Sequence, residues 1–293
     1  MTATRLATVL VLALSSSAFG RAGDWTVLVR DGLVQPGDVV DAVVTPPDGV
    51  TAVTGRWNER PVPFERGADG RWHALLGIDI AARPGPMTLA LTGKGAATPR
   101  THTHVIEVSA KAFRTRRITV DPKFVNPPAS ALPRIRRDTA LLNKVFGSPL
   151  GERLWGTGAV RPVAGVSVSG FGVRSVLNGE PRGPHTGQDL RATAGTPVHN
   201  PTPGVVVVAQ DLYYSGNTVV VDHGQGLFST MAHLSVIDVT EGERVDTGVV
   251  LGKVGATGRV TGPHLHWAVR LHGARVDPLS LLDVLATAPR PAP

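Results

Sequence analysis

The chain has 293 residues, a formal net charge of +7 and no cysteine. That length carries two modest domains, each with its own core, and the lack of thiols excludes disulfides, lipid attachment through cysteine and thiolate-ligated metals. The basic balance favours adsorption to anionic polymers, those of a cell wall among them, without specifying one, while no basic run interleaved with aromatics points to nucleic acid.

The first residues read as a secretory signal peptide over 1–20. Met1 to Arg5 is a short basic region, Leu6 to Leu14 is apolar, and Ser15 to Gly20 is small and polar, with Ala18, Gly20 or Ala22 as cleavage points. The apolar run is shorter than the roughly 20 residues a bilayer demands, and no such run occurs elsewhere. The expectation is a secreted protein, periplasmic or extracellular, with no membrane span after signal removal.

Residues 21–112 read as short strands separated by turns. The candidates are Trp25–Val29, Val39–Val44, Val50–Trp57, Arg71–Leu76, Met87–Leu91 and His102–Val108, with breaks at Pro36-Gly37, Pro46 to Gly49, Gly67 to Gly70 and Pro84-Gly85-Pro86. Strands at that spacing predict a β-sandwich, immunoglobulin-like in class. Its role, whether spacing, wall binding or covering a site, stays open. Residues 113–160 form a connector that starts extended, with Arg114, Arg116 and Arg117 followed by Pro122, Pro127, Pro128 and Pro133. A helix then runs from about Arg134 to Phe146, with Ile135, Leu142, Val145 and Phe146 near one face and Gly147 before Pro149 as its stop. From 161 to 293 the runs at 205–208, 218–222 and 248–254 predict antiparallel strands, so the whole chain is mainly β and helix is minor.

Chemistry concentrates in two motifs of this last region. His185, Thr186, Gly187, Gln188 and Asp189 are followed far downstream by Gly262, Pro263, His264, Leu265, His266 and Trp267. Imidazole nitrogen and carboxylate oxygen suit a borderline-soft cation such as Zn²⁺, and catalytic sites use three protein ligands with the fourth position left to water. His264 and His266 stand at i and i+2 in an apolar run that reads as a strand, so both imidazoles project from one face about 6–7 Å apart. One can bind metal while its neighbour works beside it. Gly187 is expected to let the backbone turn into a strand at Asp189 to Arg191, so that His185 and Asp189 converge. A second His-x-His, His102 and His104, has no His-x-x-x-Asp nearby and reads as polar positions on a half-exposed strand.

The chain here resembles the lysostaphin-type zinc metallopeptidases, secreted bacterial enzymes that cut the peptide part of peptidoglycan. Four stretches carry the likeness, over roughly Arg161 to Leu282: Phe171 to Arg174, His185 to Leu190, Met231 to Ser235, and Gly255 to Trp267. The resemblance implies His185, Asp189 and His266 as ligands of one Zn²⁺ per chain, with His233 and His264 as unliganded catalytic histidines. Zinc with one carboxylate keeps a net positive site that lowers the pKa of bound water to about 7. Two imidazoles then serve proton transfer and oxyanion stabilisation.

Two positions depart from the usual pattern: Met231, where many relatives carry Tyr, and Gln188, where they carry an aliphatic residue. Arg174 matches a recurrent arginine and either holds the site loop or meets a substrate carboxylate. Of Tyr213 and Tyr214, one packs and the other, Tyr214, lines the groove. His223 reads as a hydrogen-bonded structural residue, and His73, His199 and His272 have no partners in sequence. Some relatives hold their site latent with an Asn on the metal; Asn126, in the stiff stretch Val120 to Pro128, is the candidate latency ligand, or else it merely starts a proline turn.

These readings converge on a secreted zinc endopeptidase acting on the stem peptides or cross-links of peptidoglycan. The alternatives are a catalytically silent wall-binding activator of another hydrolase, a zinc endopeptidase acting on glycine-rich proteins, and a structural adhesin. The intact ligand set speaks against the silent form, and an adhesin has no need of it.

Overall fold

The computed structural model describes residues 24–29, 32–95, 98–119, 127–148 and 150–287. The expected signal peptide and Asn126 lie outside the described residues. Strands β1 (Thr26–Leu28), β2 (Val39–Thr45), β3 (Ala52–Trp57), β4 (Arg60–Pro63), β5 (Glu65–Arg66), β6 (Trp72–Gly77), β7 (Gly85–Lys94) and β8 (Arg100–Val108) build two four-stranded antiparallel sheets, ordered β1-β2-β6-β5 and β4-β3-β7-β8. Alternation explains them. Val40, Ala42 and Val44 of β2 meet Val53, Trp57, Leu89 and Leu91 of the facing sheet in one core. β2 is buried on its other face too, where Val39 joins the core of the C-terminal region together with Leu75 of β6.

Pro84-Gly85-Pro86 is not the break expected from sequence. β7 starts at Gly85, and Pro86 lies beyond the end of β3, whose last partner is Leu89, so its missing N–H faces no neighbour on that side. The two short strands β4 and β5 had no signal long enough to read.

The connector contributes β9 (Thr115–Ile118), a 3-10 turn (Ala129–Ala131) and helix α1 (Leu132–Phe146). Pro133 stands in the first turn, where its missing N–H costs nothing, and Gly147 caps the end. The helix buries Leu141, Leu142, Val145 and Phe146 against Val208, Val220 and Phe228, with Phe146 edge-on to Phe228 at 5.5 Å.

The C-terminal region holds β10 (Ser167–Ser169), β11 (Arg174–Leu177), β12 (Glu180–Pro184), β13 (Gly187–Leu190), β14 (Pro197–His199), β15 (Gly204–Leu212), β16 (Gly216–Asp222), β17 (Leu227–Ile237), β18 (Arg244–Val245), β19 (Val250–Val254), β20 (Leu265–Leu271), β21 (Ala274–Val276) and helix α2 (Pro278–Thr287). Its main sheet runs β10-β13-β20-β17-β16-β15-β18, with β19 bridging β17 and β14, and β21 on β20. A separate small sheet, β12-β11-β9, uses the connector strand β9 in parallel with β11. The sequence reading missed α2, although Asp277 before Pro278 and an apolar run mark a helix start; Asp277 Oδ1 accepts the Leu279 N–H at 3.0 Å.

The N-terminal sheets are tied to this region at several points. Arg275 grips Asp79 with its Nη2 at 2.6 Å and Nε at 3.0 Å, Arg60 donates to the His272 carbonyl at 2.8 Å, and Asp277 N–H reaches Gly37 O at 2.7 Å. Arg153 pairs with Glu65 at 3.2 Å while stacking 3.6 Å from the Trp155 ring. No helix among the described residues is long and apolar enough to cross a membrane.

Candidate metal centre

Three neighbouring strands assemble the site. Asp189 on β13 is the direct cross-strand partner of His266 on β20, so the two side chains project side by side. His185 arrives from the turn before β13. Gly187 does not serve the turn as expected: it begins the strand without a positive φ, and it is needed for close approach, since a Cβ there would stand 2.5 Å from the Trp267 carbonyl and 2.8 Å from His266 Cε1. The result is convergence of donors. Asp189 Oδ1 lies 3.0 Å from His185 Nε2 and 2.9 Å from His266 Nδ1, and those two nitrogens are 3.0 Å apart.

Among the described residues this is the one group of three or more acidic or imidazole side chains able to share an ion, with all ligand atoms within 4.8 Å of one another. Two nitrogens and one carboxylate oxygen fit a tetrahedral ion with a position left open. The support is also of the right kind. His185 Nδ1–H donates to Gly170 O at 3.1 Å, which leaves Nε2 as a lone-pair donor facing inward.

His233 and His264 flank this cluster. On β17, Ala232 pairs with His266, and Ala232 and His233 together stand opposite the single residue Thr218 of β16 in a bulge. His233 sits in that bulge at φ +66°, its N–H given to Ser215 O at 2.9 Å. A left-handed non-glycine backbone costs about 1–3 kcal/mol and is held only where the surroundings impose it. It aims the ring at the cluster, 5.0 Å from His264 and 5.9 Å from His266 between centroids. His264 lies just ahead of β20, its Nε2 3.7 Å from Asp189 Oδ1. Both rings are fixed in the same way, His233 Nδ1 on Thr257 O at 2.9 Å and His264 Nδ1 on Gly262 O at 2.8 Å, so that each Nε2 is free to handle a proton. Neither carbonyl was found by sequence reasoning, since any residue type supplies one.

Electrostatics separates the members. Burial alone would raise the Asp189 carboxyl, but hydrogen bonds from His185 and His266 outweigh it and hold the group well below the usual carboxylate range. Burial, reinforced by the neighbouring His266, pulls His233 down to about 4, and burial lowers His266 against the pull of Asp189. The site thus combines a carboxylate favoured in its ionised form with two imidazoles, His233 and His266, favoured in their neutral form.

The other sequence candidates stand outside the three-residue ligand cluster. Met231 is fully buried in the core opposite Trp267 and touches no groove, which explains how an apolar residue is tolerated there. Gln188 is buried and bridges Ser167, 2.7 Å away, to Asp277 at 2.8 Å, so it secures β13 to the start of α2. Arg174 is exposed and has no side-chain partner among the described residues. Tyr214 is 36% exposed with the Arg259 guanidinium 4.6 Å from its ring centre, and its carbonyl accepts the Arg259 N–H. Tyr213 packs edge-on against it, and its N–H is taken by the buried Asp138 of α1 at 2.8 Å. His223 is fully buried with Nδ1 2.9 Å from Pro203 O, a structural residue as expected. His73 does have partners, Asp41 at 2.8 Å and Asp69 at 3.1 Å, which lie too far away in sequence or in the wrong pattern to be read as a pair.

Residues 183–278 match peptidase family M23. The chain is 35% identical to a Pseudomonas aeruginosa protein of known crystal structure assigned to peptidase M23, with a TM-score of 0.64 over 85% of this chain and 94% of that one. It therefore belongs to peptidase family M23. Among curated relatives, it is 44% identical over 94 residues to the peptidoglycan DD-endopeptidase ShyA of Vibrio cholerae, and 43% identical over 97 residues to the DD-carboxypeptidase/endopeptidase Mpg of Neisseria meningitidis. These alignments cover 32% and 33% of this chain and 22% of each relative, so the chain matches about a fifth of their length.

Proposed function

We propose that the chain is a secreted, zinc-dependent endopeptidase that hydrolyses peptide bonds in the stem peptides or cross-links of peptidoglycan. The observation that carries this reading is the convergence of His185, Asp189 and His266 within 4.8 Å, flanked by two histidines that are not needed as ligands. Family membership and the names of the relatives support the substrate class. On this reading the chain divides into a leader (1–20), an immunoglobulin-like sandwich (21–112), a connector (113–160) and the peptidase domain (161–293).

His185 Nε2, Asp189 Oδ1 and His266 Nδ1 would hold one Zn²⁺. When bound, the ion supplies Lewis acidity, which acidifies water and polarises a carbonyl. His233 and His264 take the proton of the attacking water, hydrogen-bond the developing oxyanion and return a proton to the leaving amine, from Nε2 atoms oriented by the Thr257 and Gly262 carbonyls. Asp189, held ionised, keeps the His185 and His266 rings in place.

The test is digestion of purified muropeptides and whole sacculi by the full chain, with products identified by mass. New amine and carboxyl ends on wall peptides, lost on chelation and restored by zinc, are expected. Intact muropeptides after incubation with zinc-loaded protein would reject the reading.

A further inference from the structure

The small sheet β12-β11-β9 lies beside the metal cluster, because His185 directly follows β12 and its N–H is bonded to Val173 O at 2.9 Å. β9 brings a dense positive charge to it. Arg114, Arg116 and Arg117 are all exposed, as is Arg174 on β11. None of the four has a carboxylate partner among the described residues; Arg116 Nε meets only Ser175 Oγ at 3.2 Å. The sheet's own acid, Glu180, is already neutralised by Arg182 at 2.6 Å.

The register sorts these charges between the two faces. In the parallel pair, Arg174 is aligned with Thr115 and Ser175 with Arg116, so Arg174 and Arg117 share one face while Arg114 and Arg116 share the other. Arg174 is also the partner of Pro184, and His185 is the next residue, so alternation sends His185 to the side opposite Arg174. The His185 face is therefore the face of Arg114 and Arg116. On the Arg174 face, Gly172 is covered by the Phe113 ring, which meets Phe171 edge-on, and Phe171 in turn fills the space over Gly37 of the N-terminal region.

We propose that Arg114 and Arg116, delivered by the connector strand, form a carboxylate-binding wall beside the metal cluster, and that its occupant is an acidic wall peptide. This deepens the peptidase reading and rests on it for the substrate. Free carboxylates at the end and on the acidic side chains of a wall peptide match exposed guanidinium groups, which bind them with charge-assisted, frequently bidentate hydrogen bonds. Such a contact is present before and during bond cleavage alike, so it acts on KM and leaves kcat in place.

The experiment compares the zinc-loaded full chain with Arg114→Ala/Arg116→Ala and with Arg114→Lys/Arg116→Lys. Each is given a cross-linked muropeptide dimer with free carboxylates and the same dimer with those carboxylates amidated. Steady-state kinetics is read alongside calorimetric binding of an uncleaved acidic stem peptide and its amide. Wild type is expected to prefer the free acid by about tenfold in KM and Kd, with kcat nearly equal, and the alanine pair to lose that preference while keeping its zinc. Lysine, which keeps the charge but not the fork, should recover part of it. An alanine pair that keeps the full preference, or a wild type indifferent to amidation in both assays, overturns the proposal. If nothing is cleaved yet binding still depends on acid and arginine, the peptidase reading fails and the wall stands.

Discussion

The chain contains the same three-residue pattern, His-x-His, twice, and the two copies have different surroundings. His102 and His104 lie on β8, the outer strand of its sheet, with rings 6.4 Å apart and Trp25 stacked 6.0 Å from His102. No acidic side chain joins them in a cluster able to hold an ion, among the described residues. His266 lies on a strand paired on both sides, with Asp189 opposite on β13 and the bulge that carries His233 on β17. The difference teaches that the pattern supplies ligands only where neighbouring strands supply the rest. Cross-strand placement gives His266 a carboxylate partner, whereas an edge strand leaves its histidines with one neighbour and solvent.

The largest effects should come from the inner pair and its partners. His233→Ala or His264→Ala is expected to lower turnover by about 10²–10⁴-fold with zinc stoichiometry retained, while His185→Ala, Asp189→Ala or His266→Ala loses metal and activity together. Elemental analysis and muropeptide kinetics on the same samples decide it: zinc lost from His264→Ala, or near-wild-type turnover in both catalytic variants, breaks the division of roles. In the wild type, zinc retention should weaken on acidification, because a protonated imidazole cannot ligate.

Gly187→Ala sharpens the comparison without touching a ligand. A methyl group aimed at His266 Cε1 and the Trp267 carbonyl must displace one of them, and zinc affinity measured against a competing chelator should fall about 10–100-fold, as when ligand support is disturbed. Unchanged affinity would mean that the strands part freely.

A smaller effect is expected where the two halves of the molecule meet. Hydrogen bonds from Arg275 and two backbone groups overcome the burial that would raise the Asp79 carboxyl, and hold it below its ordinary value. A depressed carboxylate contributes stability above its unfolded pKa and loses it as pH falls through the folded one. Asp79→Asn should therefore cost about 1–3 kcal/mol at neutral pH, with the gap to wild type closing only below about pH 4. Denaturant melts across that range test it, and a gap independent of pH would remove the ion pair from the explanation.

At the bottom of the scale, His102→Ala and His104→Ala should leave zinc and turnover unchanged and shift stability by no more than about 0.5 kcal/mol, as for ordinary surface positions. Zinc lost from either would place a second metal site on β8.

Much of this was legible because it is local. Turn residues between short runs marked six strands of the N-terminal sheets, a periodic apolar face marked α1, and the motifs holding His185, Asp189, His264 and His266, with the family resemblance for His233, named residues that the fold brings together. Other features depended on what the neighbouring chain does. Gly187 read as a turn residue because a sequence does not show that His266 will pass beneath it, and Met231 stood out as a departure from the family pattern, whereas β17 turns its side chain into the core. The carbonyls of Gly170, Thr257 and Gly262 orient the histidines through atoms every residue shares, so no letter announces them. Arg174 drew attention by its motif, yet strand register alone put Arg114 and Arg116 on the side of His185. Side-chain chemistry and its spacing are written in the sequence; which face a residue presents, and what stands opposite, follows from long-range pairing, whose partners at the metal centre lie as far as 81 residues apart in the chain.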